Sequence, residues 1–504
     1  MSLANVFSRA QYGIEAPLVR VEIDLSRGLP GMTIVGLAET AVKESRERVR
    51  CALLNSRFEI PKRRVIINLA PADLPKDGGR FDLAIALGLL AASGQISATC
   101  LEGYEFLGEL ALNGELRSVK GALPAALQTF RAARKLIVPQ GNAAEAGLIT
   151  GLTAYAGNHL LNVVAHLQNQ EPLPLVAANT DLVNLAQSVP GPDLSEVFGQ
   201  HSAKRALEIV AAGGHSCLFI GPPGTGKTML ANRLPGLLPP MSEEEALESA
   251  AIRSISHLGF NPLDWRRRPF RSPHHTASSV ALVGGGSVPR PGEISLAHQG
   301  VLFLDELPEF DRRVLDVLRE PLESGRVIIS RAARQAEYPA RFQLMAAMNP
   351  CSCGYLGDPE KPCRCSVEQV RRYRQRLSGP LLDRIDLHLQ VPRVPFHQLR
   401  DTRARESSAA VRTRVIAAQT RQRERSGRLN AHLETTEVQR VCDLTEQDQQ
   451  FLEQTLEKLH VSARAYHKIL KLARTLADLE AEPAIQRVHL TEALGYRCLD
   501  RVMD

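Results

Sequence analysis

Cys217-Leu218-Phe219-Ile220-Gly221-Pro222-Pro223-Gly224-Thr225-Gly226-Lys227-Thr228 is the stretch on which the reading of this chain turns. Its first four residues are apolar and bounded by His215 and Gly221, which predicts a short buried strand; the apolar spacing of Met229 to Leu234 predicts a helix directly after it. Between them lies G-x-x-x-x-G-K-T. Glycines there let backbone N–H groups turn inward around a triphosphate, and the new helix points its positive end at the same place. Lys227 is expected to reach the β- and γ-phosphates of ATP and Thr228 to offer a hydroxyl to Mg²⁺. A Gly/Pro turn that binds nothing would not require strand, loop and helix in this order. The expected nucleotide-binding set is Gly221, Pro222, Pro223, Gly224, Thr225, Gly226, Lys227, Thr228 and Met229, with Asp305 from a second motif.

That motif is Val301-Leu302-Phe303-Leu304-Asp305-Glu306, an apolar run expected to be a central parallel strand whose carboxyl end presents two acids. Asp305 suits Mg²⁺. Glu306 suits the attacking water, because phosphoryl transfer is mostly a matter of positioning. Alone, an apolar run ending in Asp-Glu also opens many helices. Its place downstream of Lys227 favours the catalytic reading.

The chain has 504 residues, too many for one core, and roughly three domains of 100 to 200 residues are expected. A net charge of +6 is too mild to identify nucleic acid as a partner by itself. Arg9 interrupts the first residues and no sustained apolar core follows, so no signal peptide is expected; no apolar run approaches the roughly 20 residues of a membrane span. A cytoplasmic protein without a membrane partner is the expectation. Of nine cysteines, Cys51, Cys100, Cys217, Cys442 and Cys498 stand singly and read as small buried hydrophobes.

Residues 1–168 mix short strands (Leu18 to Ile23, Val65 to Leu69, Leu136 to Val138) with helices (Thr40 to Leu54, Leu83 to Ala92), an α+β domain. Residues 169–192 are rich in Gln, Pro and Asn and read as a linker. Residues 193–395 carry the nucleotide motifs among alternating strands and helices, and 396–504 read as a helical domain.

Together with Leu344-Met345-Ala346-Ala347-Met348-Asn349, these motifs resemble an AAA+ ATPase: an α/β P-loop module with a helical C-terminal lid. The resemblance implies that Asn349 is the sensor-1 amide, bonding the γ-phosphate or the attacking water, although an Asn before Pro350 also starts turns. Gly379-Pro380-Leu381-Leu382-Asp383-Arg384-Ile385-Asp386 resembles the arginine-finger segment of magnesium-chelatase and MCM-type relatives, which implies Arg384 as the finger; a surface pair with Asp383 or Asp386 is the bland alternative. Ser462-Ala463-Arg464-Ala465 resembles sensor 2, which implies that Arg464 is aimed at the γ-phosphate.

Arg268-Pro269-Phe270-Arg271-Ser272-Pro273-His274-His275, Val283 to Gly286 and Pro291 to His298 resemble a narrower group, the magnesium-chelatase-like proteins known as ComM or YifB. This resemblance covers essentially the whole chain. It implies a ring-shaped bacterial helicase, a homohexamer, linked to natural transformation. Pro75 to Asp82 and Gly108 to Gly114 resemble the two landmarks of the Lon protease domain, a fold of the ribosomal S5 domain 2 type. Arg80 and Phe81 occupy the nucleophile region and Leu123 falls where the lysine should be, so a scaffold without peptidase activity is expected, even with Lys120 nearby.

Cys351-x-Cys353-x₉-Cys363-x-Cys365 places four thiols around a Gly/Pro loop at 351–365, a set that suits structural Zn²⁺, with an iron–sulfur cluster or unligated, redox-active thiols as the alternatives. His274 and His275 are adjacent and point apart on regular structure, so metal binding is not expected of them. Val327 to Tyr338 reads as strand, turn and strand, with Arg331 and Arg334 near the tip; the resemblance implies a pre-sensor-1 hairpin facing a pore, and Arg290 near the tip of a companion insert. Repeated around a ring, these arginines would meet a phosphate backbone, whether single-stranded, duplex or branched DNA. Arginines at 266–268, 371–376 and 421–425 are assigned no DNA role. The expected activity is ATP-driven helicase or branch-migration work on recombination intermediates. Rivals are a chelatase-type remodeller of a protein partner and an ATP-dependent protease.

Overall fold

The computed structural model describes residues 3–36, 40–178, 191–286, 289–331, 334–395, 398, 405–458 and 463–497. The chain forms two compact units. The first comprises Met1–Gln187, Leu247–Trp265 and Ala332–Tyr338; the second comprises Ser188–Ala246, Arg266–Arg331 and Pro339–Asp504, joining the nucleotide-binding segment to the helical C-terminal one.

The first unit is built on a seven-stranded sheet in the order Gly31–Val35, Arg64–Ala70, Leu18–Ser26, Leu3–Arg9, Tyr104–Phe106, Lys135–Pro139, Ala154–Gly157. Leu18–Ser26 runs antiparallel to both neighbours, and its period of two buries Val19, Val21, Ile23 and Leu25 on one face. That face receives the helix Asp82–Ala92, apolar on every side and buried along its length. Close approach is possible because Gly88 lacks a side chain: a Cβ there would come within 2.5 Å of Ile23 Cδ1.

Five parallel strands form the sheet of the second unit, in the order Phe270–Arg271, Val301–Leu304, Gln343–Met348, Cys217–Ile220, Leu387–Gln390. The three central strands are buried on both faces, as their unbroken apolar runs predict. Cys217–Ile220 is one of them, so the stretch quoted first lies at the heart of the sheet. One detail differs from the sequence reading. The helix after the glycine-rich loop is broken into Lys227–Ala231 and Leu234–Leu237, because Pro235 cannot continue the hydrogen-bond ladder of the first and sits at the start of the second. The C-terminal segment is helical as expected, with Ser408–Ser426, Thr435–Val441, Glu446–Lys458, Ala463–Leu479 and Arg487–Gly495. It shares one core cluster with the sheet, for example Leu472 and Leu476 with Phe219 and Leu387.

Candidate nucleotide-binding site

Register brings the motifs together. Ile220 pairs with Met348, and Leu304 with Ala346, so Gly221, Asp305 and Asn349 all emerge at the carboxyl ends of neighbouring strands. The loop leaves the sheet through Gly221, whose N–H donates to Met348 O at 3.2 Å. A Cβ on Gly221 would lie 2.2 Å from Val391 O, so only glycine fits. Gly226 holds φ at +85°, a left-handed turn that costs glycine little, and the helix begins at Lys227.

The Lys227 ammonium curls back over the loop, donating to Gly221 O at 2.7 Å, Pro222 O at 3.0 Å and Asn349 Oδ1 at 3.2 Å. Burial pushes its pKa below the usual lysine value, while Asp305 and Glu306 pull the other way. Thr228 donates its hydroxyl to Asp305 Oδ2 at 2.6 Å. A hydroxyl and a carboxylate side by side are hard oxygen donors of the kind Mg²⁺ accepts alongside phosphate and water. Glu306 adopts φ +53°, and its N–H is satisfied by Asp305 Oδ1 at 2.9 Å. The Glu306 side chain is 54% exposed.

The sequence pattern does not point to His275, whose Nδ1 stands 3.5 Å from Glu306 Oε2. The parallel pairing of Phe270 with Val301 and Arg271 with Leu302 carries Pro273 to His275 out beside Asp305 and Glu306. A strand of two residues gives too little periodicity to reveal that register in advance. His274 and His275 stack on each other with ring centroids 4.1 Å apart.

Arg384 lies elsewhere. Cys217 pairs with Leu387, so the residues before Leu387 belong to the amino ends of the strands, and Ser216 Oγ donates to Arg384 O at 3.1 Å. The guanidinium is bound to Glu323 Oε1 at 2.5 Å and donates to Pro380 O at 2.7 Å, not to Asp383 or Asp386. Arg464 is the second residue of the helix Ala463–Leu479, and one turn later Lys468 Nζ reaches Asp386 Oδ1 at 2.7 Å, again at the amino ends. A cavity of about 490 Å³ lies there, lined by Ser216, Glu323, Arg384, Asp386, Lys468 and Lys471. It is distant from the phosphate-binding loop.

The cysteines do converge. Cys351 Sγ is 3.4 Å from Cys353 Sγ and 3.6 Å from Cys363 Sγ; Cys353 and Cys363 are 3.6 Å apart, and Cys365 completes a set within 4.8 Å. Tetrahedral Zn–S bonds of about 2.3 Å set sulfurs roughly 3.8 Å apart, so the set fits. Cys353 also accepts backbone hydrogen bonds from Arg364 and Tyr355, the outer support that thiolate ligands need.

Of the expected DNA contacts, Arg290 is exposed beside Pro291 in a short antiparallel ladder with Gly284–Gly285. Arg331 ends the strand Arg326–Arg331 and Arg334 opens Arg334–Pro339, with 332–333 between them outside the described residues. Several of the arginines set aside are tied to the fold: Arg268 donates to Pro239 O and Gln299 O, Arg376 pairs with Glu309, and Arg425 pairs with Asp478. In the first unit, Arg80 is buried and donates to Lys120 O, and its pKa is pushed down to about 10 by desolvation. The Leu123 N–H donates to Glu145 Oε2 at 3.1 Å.

Three family models match: magnesium chelatase, subunit ChlI, over residues 193–399; subunit ChlI of Mg-chelatase over 21–142; and the magnesium chelatase subunit ChlI C-terminal model over 405–497. The competence protein ComM of Haemophilus influenzae is 53% identical over 508 residues, covering 100% of this chain and 99% of that protein. The chain belongs to the ComM/YifB family. YifB of Escherichia coli is 53% identical over 505 residues, 100% of this chain and 98% of its own length. The magnesium-chelatase 38 kDa subunit of Cereibacter sphaeroides is 26% identical over 31% of this chain. The second unit is thus a magnesium-chelatase-like AAA+ module with a parallel α/β sheet and a helical C-terminal region, and membership implies ATPase activity with ATP and Mg²⁺.

Proposed function

We propose that the protein is an ATP-driven DNA motor that works as a ring, a homohexamer, with helicase or branch-migration activity on recombination intermediates during natural transformation. The observation that carries the ring is the separation of Arg384 from its own chain's Lys227 by the length of the sheet. Lys227 grips the β- and γ-phosphates, Thr228 and Asp305 hold Mg²⁺, and the ion there offsets phosphate charge. Asn349 and Glu306 orient water in line with the γ-phosphorus. A finger that stabilises the transition state must then come from outside the chain, and Arg384 of a neighbouring copy supplies that charge, with Arg464 as the sensor-2 arginine. In the isolated chain Glu323 holds Arg384.

DNA as the partner is supported by the competence protein at 53% identity and by Arg290, Arg331 and Arg334 on short strands that a ring would repeat around its channel. The Lon-like reading of residues 1–168 is that of a scaffold: Arg80, spent on the Lys120 carbonyl, stands where a protease would carry its nucleophile. Cys351, Cys353, Cys363 and Cys365 hold one structural Zn²⁺. A cytoplasmic location fits a chain in which no helix of the described residues is long and apolar enough to cross a membrane. A chelatase-type remodeller of a protein partner is the second reading, favoured by the 26% identity to a magnesium-chelatase subunit.

The deciding measurement is ATPase activity with and without single-stranded, duplex and forked DNA, for the wild type and for Arg331→Ala/Arg334→Ala. Stimulation by DNA is expected. The double variant should keep its basal ATPase and bind all sequences more weakly, with the slope of log affinity against log salt flattened by roughly 0.7 to 0.9 per lost contact. Indifference of the wild type to every DNA, or equal affinity and salt slope in both proteins, favours the remodeller.

A further inference from the structure

The four-cysteine loop is joined to the nucleotide site at three points. Cys351 follows Asn349 by two residues, and Asn349 accepts from Lys227. At the loop's far end, Ser366 caps the helix Val367–Arg374 through a reciprocal pair with Gln369, and this helix returns buried Tyr373 toward the Asn349 backbone. Between the cysteine pairs, Gly354 is pressed onto the phosphate-binding loop itself. A Cβ at Gly354 would lie 2.8 Å from Pro223 Cδ and 3.9 Å from Asn349 Cγ. Gly354 holds φ at +85°, and its N–H donates to Cys351 O at 3.0 Å, so its place is set by the first cysteine turn. The loop is also pinned from the strand side, where Arg393 meets Asp358 at 2.6 Å.

A 15-residue segment from 351 to 365 with two glycines between the cysteine pairs, and no helix or strand of its own, has little to keep one conformation without its crosslink. We infer that the metal in this loop is a strut for the nucleotide pocket: Zn²⁺ on Cys351, Cys353, Cys363 and Cys365 fixes Gly354 against Pro223 and Asn349, and so couples metal loading to ATP binding. This rests on the zinc and ATP readings above. With the ion bound, Pro222, Pro223 and Asn349 present the Lys227 cradle in one arrangement. Without it, the Gly354 contact and the Tyr373 tether lose their common anchor, and ATP must order the pocket on binding.

Coupling of two sites is reciprocal, so the effect can be read from either ligand. Full-length wild-type protein is first assayed for metal content. Its zinc affinity is then measured by competition with a chromogenic chelator, with and without a non-hydrolysable ATP analogue. Lys227→Ala protein in the same mixture corrects for zinc held by the nucleotide. The analogue should tighten zinc about tenfold in the wild type, within the roughly 5- to 150-fold typical of coupled sites, and should leave the Lys227→Ala protein unmoved. Gly354→Ala keeps all four thiols; it should retain zinc and bind the analogue several-fold more weakly, because its Cβ has no room beside Pro223. Absence of zinc from protein purified without chelator overturns the metal site and leaves the ATPase reading standing. Zinc bound equally tightly with and without the analogue, in protein shown separately to bind it, overturns the strut. So does a Gly354→Ala protein that holds zinc and binds the analogue as the wild type does.

Discussion

The two ends of the five-stranded sheet hold charged groups in opposite conditions. At the carboxyl ends, Lys227 rests on backbone carbonyls, Thr228 and Asp305 share one hydrogen bond, and the exposed Glu306 carboxylate lies 3.5 Å from His275. At the amino ends, Asp386 is bound to Lys468 at 2.7 Å, accepts from the Ser216 N–H at 2.9 Å, and lies 3.5 Å from His215, which itself bonds Thr475 at 2.8 Å. Farther along, Thr475, Asn430, Asp478 and Arg425 continue the network. The first end leaves Thr228, Asp305 and Glu306 open where the proposed phosphate, ion and water would bind. The second is closed on itself and fastens the C-terminal helix Ala463–Leu479 to the sheet. At the first end Thr228, Asp305 and Glu306 stay at least partly exposed and only Lys227 is buried, on carbonyls that repay the cost; at the second, Asp386 is desolvated among partners that do the same.

The contrast breaks most readily at Lys227. Lys227→Ala should fold normally and show no measurable binding of a fluorescent ATP analogue, whereas Glu306→Gln should bind it and hydrolyse ATP orders of magnitude more slowly. Wild-type turnover in the Glu306→Gln protein would remove the catalytic assignment from the carboxyl end.

Arg384 stands at the closed end and is yet proposed to serve a ligand. Arg384→Ala should bind ATP nearly as the wild type does and lose roughly 10³- to 10⁵-fold in hydrolysis. Doping with Lys227→Ala subunits should restore part of the activity, because some interfaces then pair an intact loop with an intact finger. If rings shown to be mixed regain nothing, Arg384 does not act across an interface.

Asp386→Asn should do the reverse, lowering stability while sparing nucleotide affinity in protein that remains folded. Removing one partner of a buried pair costs about 3 to 5 kcal/mol, and about 3 is expected here because the Asp386 side chain keeps 15% exposure. Lys468 and His215 hold the Asp386 carboxyl well below its ordinary value. Its contribution is therefore complete above the unfolded-state pKa of about 3.9 and is lost as the pH falls through the lower folded value. Urea unfolding from pH 7 down to 3 should show the wild type converging on the variant; parallel curves would mean that the pair is not what fastens the helix.

The smallest effect is the pH dependence of ATP affinity. With its pKa lowered by burial, Lys227 begins to lose its proton at a lower pH than an exposed lysine, and only the charged form attracts phosphate. Binding should weaken several-fold as the pH rises into the alkaline range, and ATP should be accompanied by proton uptake there. Calorimetry in buffers of different ionisation enthalpy reads that uptake directly. None at any alkaline pH would mean that Lys227 stays fully charged in the empty site.

What the sequence determined by itself was whatever depends on neighbours along the chain. The glycine spacing and Lys227, the apolar runs ending at Asp305 and Asn349, and the cysteine pairs were all legible, because a loop around a phosphate, a strand buried on both faces and a four-thiol loop are local devices with local signatures. Val301–Leu304 and Gln343–Met348 fell close to where their apolar runs put them. Tertiary structure decided what depends on strand order and register. The parallel pairing of Phe270 with Val301 placed His275 beside Glu306, and the pairing of Cys217 with Leu387 put Arg384 at the far end from Lys227, on Glu323 and not on an adjacent aspartate. Gly354 met Pro223 across more than a hundred residues. No period of two or 3.6 encodes such meetings, since they arise only when separate strands commit to one sheet and the loops at its edge must share the same small space.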